Sequence, residues 1–283
     1  KIGASKVATG HYAKIIKGAD LPLSFLQKEG IYPAHKYMCG VKERLFIGRG
    51  VDRNKDQSYF LFNLTQGQLK RALFPLGDYT KTDIRKTAKS FGLKIAEKDE
   101  SQEICFIPDN NYAEFIKKKV DADKIEDGEI VTTDGKVIGR HRGLPFYTIG
   151  QRKGLGISWA RPLYVTEIDL KNNRLIVDEG DALMRREFIV EKVNWSINPP
   201  ALPPLIKGGV RASVQIRYRH TAAEAEIILN DNNSVKVTFD EPQRAVTPGQ
   251  AAVFYIEDTL IGGGWIRETF LKRQISTIKH QMH

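Results

Sequence analysis

The sequence predicts an α/β front segment followed by two small β domains, the last an antiparallel sandwich or barrel. Three observations carry this reading. Residues 1–110 alternate strand-like and helix-like runs, whereas the texture after Val120 changes to short apolar runs separated by turn residues. Further on, Val210, Ala212, Val214, Ile216 and Tyr218 alternate with Arg211, Ser213, Gln215, Arg217 and Arg219, the period of a strand with one apolar and one basic face. Domains are accordingly drawn at 1–110, 111–186 and 187–272, with a tail at 273–283.

In the front segment Lys6-Val7-Ala8-Thr9-Gly10 reads as a short strand ending at glycine, and Leu45-Phe46-Ile47-Gly48 as a second. Asp56-Gln57-Ser58 precedes Tyr59-Phe60-Leu61-Phe62 as a capped helix start. A clearer helix begins at Thr80-Lys81-Thr82-Asp83, carries Ile84, Ala88 and Phe91 on one face, and stops at Gly92. Tyr112 to Val120 is also helical in pattern. Asp127-Gly128, Asp134-Gly135 and Lys171-Asn172-Asn173 then separate strands such as Leu163 to Thr166 and Leu175 to Val177. A proline-rich patch at Asn198 to Pro204 lies near the start of the third unit, where Ala225 to Leu229, Ser234 to Phe239 and Ala251 to Ile256 supply further strands.

Composition narrows the function. The 283 residues are 41% hydrophobic and 28% charged, enough for a core and too balanced for wholesale disorder. No apolar run approaches the roughly 18 residues of a membrane span. The start at Lys1 lacks an initiator Met and a secretion pattern, so it reads as the interior of something longer. Cys39 and Cys105 stand far apart, which excludes a disulfide framework and fits a reducing cytosol. The six histidines form no ligand spacing, and no metal site is expected. Net charge is +10, with 19 basic against 12 acidic residues in 1–110, 14 against 12 in 111–186 and 11 against 10 in 187–283. Such an excess is the footprint of a phosphate-rich partner or simply a solvated lysine-rich face.

Local motifs taken singly leave alternatives open. Cys105, flanked by apolar residues, has the pattern of a plain core thiol, and Glu97, Asp99, Glu100 and Glu103 oppose thiolate formation. Tyr147 to Gly156 mixes an aromatic, two cations and three glycines, either a close approach to a polyanion or a tight turn. Gly262-Gly263-Gly264 matches no phosphate-loop pattern. Asp52 to Ser58 is a donor-rich loop, and Thr9-Gly10-His11-Tyr12 is a strand end of the kind nucleotides approach.

Together the motifs are more specific. Ala8 to Ala13, Lys55 to Leu61, Ser101 to Ile107, Tyr147 to Gly156, Arg217-Tyr218-Arg219 and Ala245 to Gln250 occur in one order and spacing. The sequence resembles the tRNA-specific 2-thiouridylases, the MnmA/TrmU family, over nearly its whole length. The resemblance implies part of a PP-loop nucleotide-binding domain of the adenine nucleotide alpha hydrolase type, then a central β domain and a C-terminal β-barrel, both tRNA-binding. It implies a cytoplasmic enzyme that uses ATP, with Mg2+, to adenylate the 2-oxygen of the wobble uridine. Sulfur then comes from a cysteine persulfide loaded by a sulfur-relay protein or cysteine desulfurase. By motif, Cys105 is the persulfide carrier and Gly10 an ATP contact. His11, Lys55, Asp56, Gln57, Arg217, Tyr218 and Gln250 correspond to tRNA contacts.

The sequence departs from the family's pattern in three places. Neither the Ser-Gly-Gly-Val-Asp-Ser pyrophosphate loop nor the family's other cysteine occurs in these 283 residues, and Cys39 matches no family thiol. Asp99-Glu100 stands where the family more commonly has Pro-Asp. The expectation is a thiouridylase chain inactive on its own. A noncatalytic tRNA-binding remnant is the alternative, and a general basic nucleic-acid binder with a structural Cys105 is a third reading. Alternation also puts Tyr218 on the face opposite Arg217, which requires the strand to end or bulge there.

Overall fold

The computed structural model describes residues 3–21, 41–93, 112–119, 125–196, 209–230 and 233–270. Cys39, Cys105 with its surrounding motif, the proline-rich patch and the tail lie outside the described residues. The chain divides into two compact units, Lys1–Glu97 with Arg185–His283, and Lys98–Met184.

The front of the first unit contains β1 (Val7–Ala8), β2 (Ala13–Lys17), β3 (Leu45–Arg49) and β4 (Ala72–Leu73). β1 and β4 pair in parallel, while β2 and β3 are antiparallel with Ile15 opposite Ile47. The expected helix after Ser58 is a single 3-10 turn, Ser58–Leu61. A short helix, α1 (Gln66–Leu69), follows a Thr65/Gln68 capping box, and α2 (Lys81–Ser90) follows one made by Thr80 and Asp83. Gly92, at φ 66°, ends α2 by donating its N–H to the Lys89 carbonyl. The apolar stripe of α2 does not close over a core: Ile84 and Ala88 are half-buried and Phe91 is 75% exposed.

The second unit contains α3 (Tyr112–Lys119), β5 (Gly128–Thr132), β6 (Val137–His141), β7 (Tyr164–Asp169) and β8 (Arg174–Asp178). The strand order is β6-β5-β8-β7, with β5 and β8 parallel. Ile130, Val165, Leu175 and Val177 form its core with Tyr147 and Leu155 from the motif Tyr147 to Gly156. That motif therefore has a structural share: Gly150 and Gln151 exchange backbone hydrogen bonds with Val165 (2.7 and 2.9 Å).

Returning to the first unit, β9 (Met184–Trp195), β10 (Val210–Gln215), β11 (Ala223–Leu229), β12 (Val235–Arg244), β13 (Ala251–Ile256) and β14 (Thr259–Phe270) make a closed six-stranded barrel. The order β13-β10-β11-β12-β9-β14 closes through pairing of β13 with β14. Val210, Val214, Ile227, Val237, Phe239 and Phe254 fill the interior. β13 is buried on both faces, because Ala252 and Phe254 point into the barrel while Ala251, Val253 and Tyr255 pack on Ile47, Tyr59, Leu61 and Phe62. Its unbroken apolar sequence follows from that double burial. The β2–β3 hairpin adds to the edge of β14, with Gly48 and Ile47 opposite Thr259 and Leu260. Front segment and barrel are thus one packed body.

β9 and β14 are the two long strands that the sequence reading leaves out. Lys192, at φ 51°, interrupts the alternation of β9 beside a register shift between Gly263 and Trp265. The triple glycine lies inside β14. A Cβ on Gly264 would stand 2.5 Å from the Glu191 carbonyl oxygen, and one on Gly262 2.8 Å from the Trp195 ring. The run is a close-packing device in a strand.

Candidate nucleic-acid interface

The segment from Arg49 to Phe60 is organised around a buried carboxylate. Asp56 accepts hydrogen bonds from Gly50 N (3.0 Å), Ser58 N (3.2 Å), Ser58 Oγ (2.8 Å) and Arg49 Nη1 (3.1 Å). The same guanidinium donates to Gln215 Oε1 (3.2 Å) and lies 3.7 Å over the Tyr255 ring. Since Ser58 gives its only proton to the carboxylate, the Tyr255 hydroxyl donates in the 3.1 Å contact with Ser58 Oγ. Burial pushes the Tyr255 phenol well above its ordinary range, against the opposing pull of Arg49. Tyr59 donates to the Ala251 carbonyl at 2.9 Å, and burial pushes its phenol up to about 12. Both phenols are neutral donors tying the loop to the barrel. Gln57 binds the front strand instead: its N–H donates to the Tyr12 carbonyl (2.9 Å) and its Oε1 accepts from Tyr12 N (3.2 Å).

On the barrel side, the expected strand Val210 to His220 ends at Gln215, which corrects the sequence reading. Gln215 is buried and its Nε2 donates to the carbonyls of Arg217 (3.2 Å) and Tyr218 (2.9 Å), which folds 217–220 into a turn closed by His220 N to Arg217 O (3.0 Å). The alternation therefore stops before Tyr218, and that ring packs on Phe60. The basic face is also smaller than the pattern predicts. Arg211 is held by both oxygens of Asp240 (2.7 and 2.5 Å). Arg217 donates to the Arg244 carbonyl (2.9 Å), bracing the turn before Gln250. Arg219 is exposed and has no carboxylate partner among the described residues.

Loop and turn line a cleft of about 760 Å³ in which Arg49, Arg53, Lys55, Arg219 and His220 share the wall with Asp56, Glu257 and Asp258, and with Tyr218. Asp258 on its rim pairs with Arg53. His220 Nε2 faces Gln243 Oε1 (3.1 Å), and because the Gln243 amide nitrogen already donates to the Glu241 carbonyl, the imidazole donates from Nε2. Its Nδ1 is buried without a partner among the described residues, and burial pulls its pKa below the ordinary value. The remaining site residues sit elsewhere. Gly10 is exposed, and His11 Nδ1 lies 2.8 Å from Thr9 Oγ1 with its ring edge-on to Phe74. His11 borders a mainly apolar pocket of about 560 Å³ with Val7, Leu64, Arg71 and Phe74. Gln250 buries a side-chain oxygen that has no partner among the described residues. The structure thus gathers Lys55, Asp56 and Tyr218 at one cleft, with Arg217 in its turn and Gln57 behind it.

Three family models match the chain in sequence: a tRNA methyl transferase HUP domain over residues 1–109, a tRNA methyl transferase PRC-barrel domain over 113–179, and an aminomethyltransferase beta-barrel domain over 185–266. A tRNA-specific 2-thiouridylase MnmA of Chlorobium phaeobacteroides is 46% identical over 90% of this chain and 69% of its own length. Proteins of the same name from Heliobacterium modesticaldum and Solibacter usitatus are 42% and 46% identical over 99% and 94% of the chain, and 66% of each relative. The chain belongs to the tRNA-specific 2-thiouridylase family. It spans about two thirds of the length of the curated relatives it matches.

Within this member of the family the α/β front, the central β unit and the closed barrel agree with the HUP, PRC-barrel and beta-barrel order of the matched models. Sequence reasoning did not find Arg49, Gln215 or Tyr255, which hold the cleft's wall. An arginine ending a short strand and a glutamine in an alternating run carry no signal of a shared buried carboxylate. Phe60 was read as part of a helix start, and only the 3-10 turn turns its ring outward, 53% exposed. No helix among the described residues is long and apolar enough to cross a membrane.

Proposed function

We propose that this chain grips tRNA and carries sulfur in an ATP-dependent tRNA 2-thiouridylase that acts on the wobble uridine. The observation carrying this reading is the cleft where Lys55, from the front segment, meets Tyr218 and Arg219, from the barrel turn, around an ion-paired wall. Cationic and aromatic side chains on a preformed concave surface suit a polyanion with exposed bases. Lys55, Arg219 and Arg217 meet phosphate in this reading, with Tyr218, His11 and Gln250 as further RNA contacts. Asp56 and Gln57 act by holding the loop, since the first is saturated by four donors and the second is engaged with Tyr12.

Gly10 is the residue assigned to ATP. It is exposed, and a Cβ there would meet only Leu76 Cδ1 at 3.9 Å, so a nucleotide has room at the strand end; the apolar pocket beside His11 suits an adenine. ATP, when bound, supplies the adenylyl group that makes the uridine 2-oxygen a leaving group. In this reading Mg2+ enters on the nucleotide's phosphates. The division at 110, 186 and 272 belongs to the same proposal and is supported by the matched spans 1–109, 113–179 and 185–266. So do a cytoplasmic location and a persulfide donor of the cysteine desulfurase or sulfur-relay class.

Cys105 carries the persulfide in this reading because it lies in the family motif and Cys39 does not. Labelled sulfur delivered by a cysteine desulfurase and located by peptide mass spectrometry should appear on Cys105. Label on Cys39 alone overturns the assignment. The isolated chain, given ATP, magnesium, tRNA and a donor, should form no 2-thiouridine until the Ser-Gly-Gly-Val-Asp-Ser loop is supplied; nucleoside analysis detecting it without that loop would contradict the account.

A further inference from the structure

We propose that Phe60 and Tyr218 form a stacking platform for one unpaired base of the bound RNA. This rests on the RNA reading of the cleft and goes beyond it by naming what part of the RNA is read. In the 3-10 turn Ser58–Leu61, Ser58, Tyr59 and Leu61 are buried, and Phe60 is 53% exposed. The turn is not free to swing. Tyr59 is bonded to the Ala251 carbonyl, Ser58 to Asp56 and Tyr255, and Leu61 lies in the core beneath. Phe60 is thereby pinned outward at a fixed angle. Exposure alone does not mark the ring, since Phe91 and Leu170 are more exposed; what sets Phe60 apart is its fixed support and the second aromatic ring beside it.

Tyr218 sets the chemistry of that ligand. Its ring centroid lies 4.7 Å from that of Phe60 at 36°, and Tyr218 also lines the cleft with Lys55 and Arg219. A tilted aromatic pair at the edge of a cleft that carries Lys55 and Arg219 beside its ion-paired arginines offers a π surface next to a phosphate grip, the arrangement that single-stranded nucleic acid uses. A base inside a duplex keeps its faces stacked on its neighbours and cannot use such a surface. The platform therefore selects an unpaired loop nucleotide whose backbone runs past Lys55 and Arg219. The pair joins two segments distant in sequence, so it exists only when loop and barrel turn are correctly assembled. Leucine at position 60 removes the π face and keeps an apolar side chain of similar reach; tryptophan keeps the face.

The test compares the full chain with Phe60→Leu and Phe60→Trp on three RNAs: a hairpin with an unpaired loop, the same hairpin carrying single abasic loop positions, and a fully paired duplex. Circular dichroism and thermal midpoint establish that the variants fold as the parent does. Phe60→Leu should weaken the hairpin on the order of ten-fold, leave the duplex unchanged and leave the salt slope unchanged. Phe60→Trp should bind as the parent. One abasic position should reproduce the loss in the parent and add nothing in Phe60→Leu. Equal losses on hairpin and duplex, or none on either, overturn the platform while RNA binding stands. Displacement of the hairpin by free ATP from the parent but not from Phe60→Leu also overturns it, since the base held by the platform is then that of a free nucleotide. Failure of the parent to bind any of the RNAs overturns the RNA reading itself, and the platform with it.

Discussion

Asp56 illustrates how a residue's type differs from its use. A loop aspartate between lysine and glutamine reads as a surface contact, yet its carboxylate is buried with Arg49 beside it, their side chains 6% and 16% exposed. Removing one partner of such a pair strands the other in a poorly solvated wall. Asp56→Ala should therefore cost about 3–5 kcal/mol, read as a lowered urea midpoint, and Asp56→Asn less because it keeps acceptors for Gly50 and Ser58. His220 gives a pH dependence. Burial lowers its pKa first, the Gln243 bond opposes, and nearby Arg217 lowers it further. The unfolded chain gains a proton near the ordinary value of 6.5 while the folded chain resists it. This contribution to stability is whole above 6.5 and is lost as pH falls through the lowered folded value. Denaturant midpoints of His220→Gln should fall less than those of the parent on acidification below 6.5; parallel curves would remove His220 from the account. Motif order singled out Lys55 and Tyr218, which the fold brings to one cleft. The convergence of four donors on Asp56 was not, because it is set by tertiary packing.

Among the elements, helix and strand signals held where local chemistry acts alone. The Thr80/Asp83 capping box and the stop at Gly92 bound α2 as expected, and the alternation in Val210 to Gln215 gives β10 with Val210 and Val214 inward. The signal fails where a neighbour decides. Gln215 terminates β10 by bonding the next carbonyls, and the bulge at Lys192 and the triple glycine hide β9 and β14 from a period-two search. Glycine is required at 264 by the approach of β9, since an added Cβ also meets Val190 Cγ1 at 2.8 Å. Gly264→Ala should lower stability by about 1–3 kcal/mol through overpacking, whereas alanine at Gly67, whose Cβ would meet nothing closer than Thr65 Oγ1 at 4.0 Å, should not destabilise the fold; thermal midpoints separate the two. Comparable losses at both positions would remove close strand approach as the reason for the glycine run.

At the scale of the whole molecule, a net charge of +10 says that polyanions are attracted, but not where. The fold locates the effect by subtraction. Arg53 is paired with Asp258, Arg49 with Asp56 and Arg211 with Asp240, whereas Arg219 stands at the cleft without a carboxylate among the described residues. The domain order was legible because each domain has its own texture. The union of front segment and barrel in one unit was not, since it depends on β13 being buried on both faces and on the hairpin joining β14. The central claim is that tRNA is held at this cleft, and its most direct test is the salt dependence of tRNA affinity for the parent, for Arg219→Ala and for the charge-neutral double variant Arg211→Ala/Asp240→Ala. The account predicts a steep fall of log affinity with log salt in the parent, a slope reduced by about one in Arg219→Ala, and a parental slope in the double variant. An affinity indifferent to salt, or a parental slope in Arg219→Ala, would contradict it.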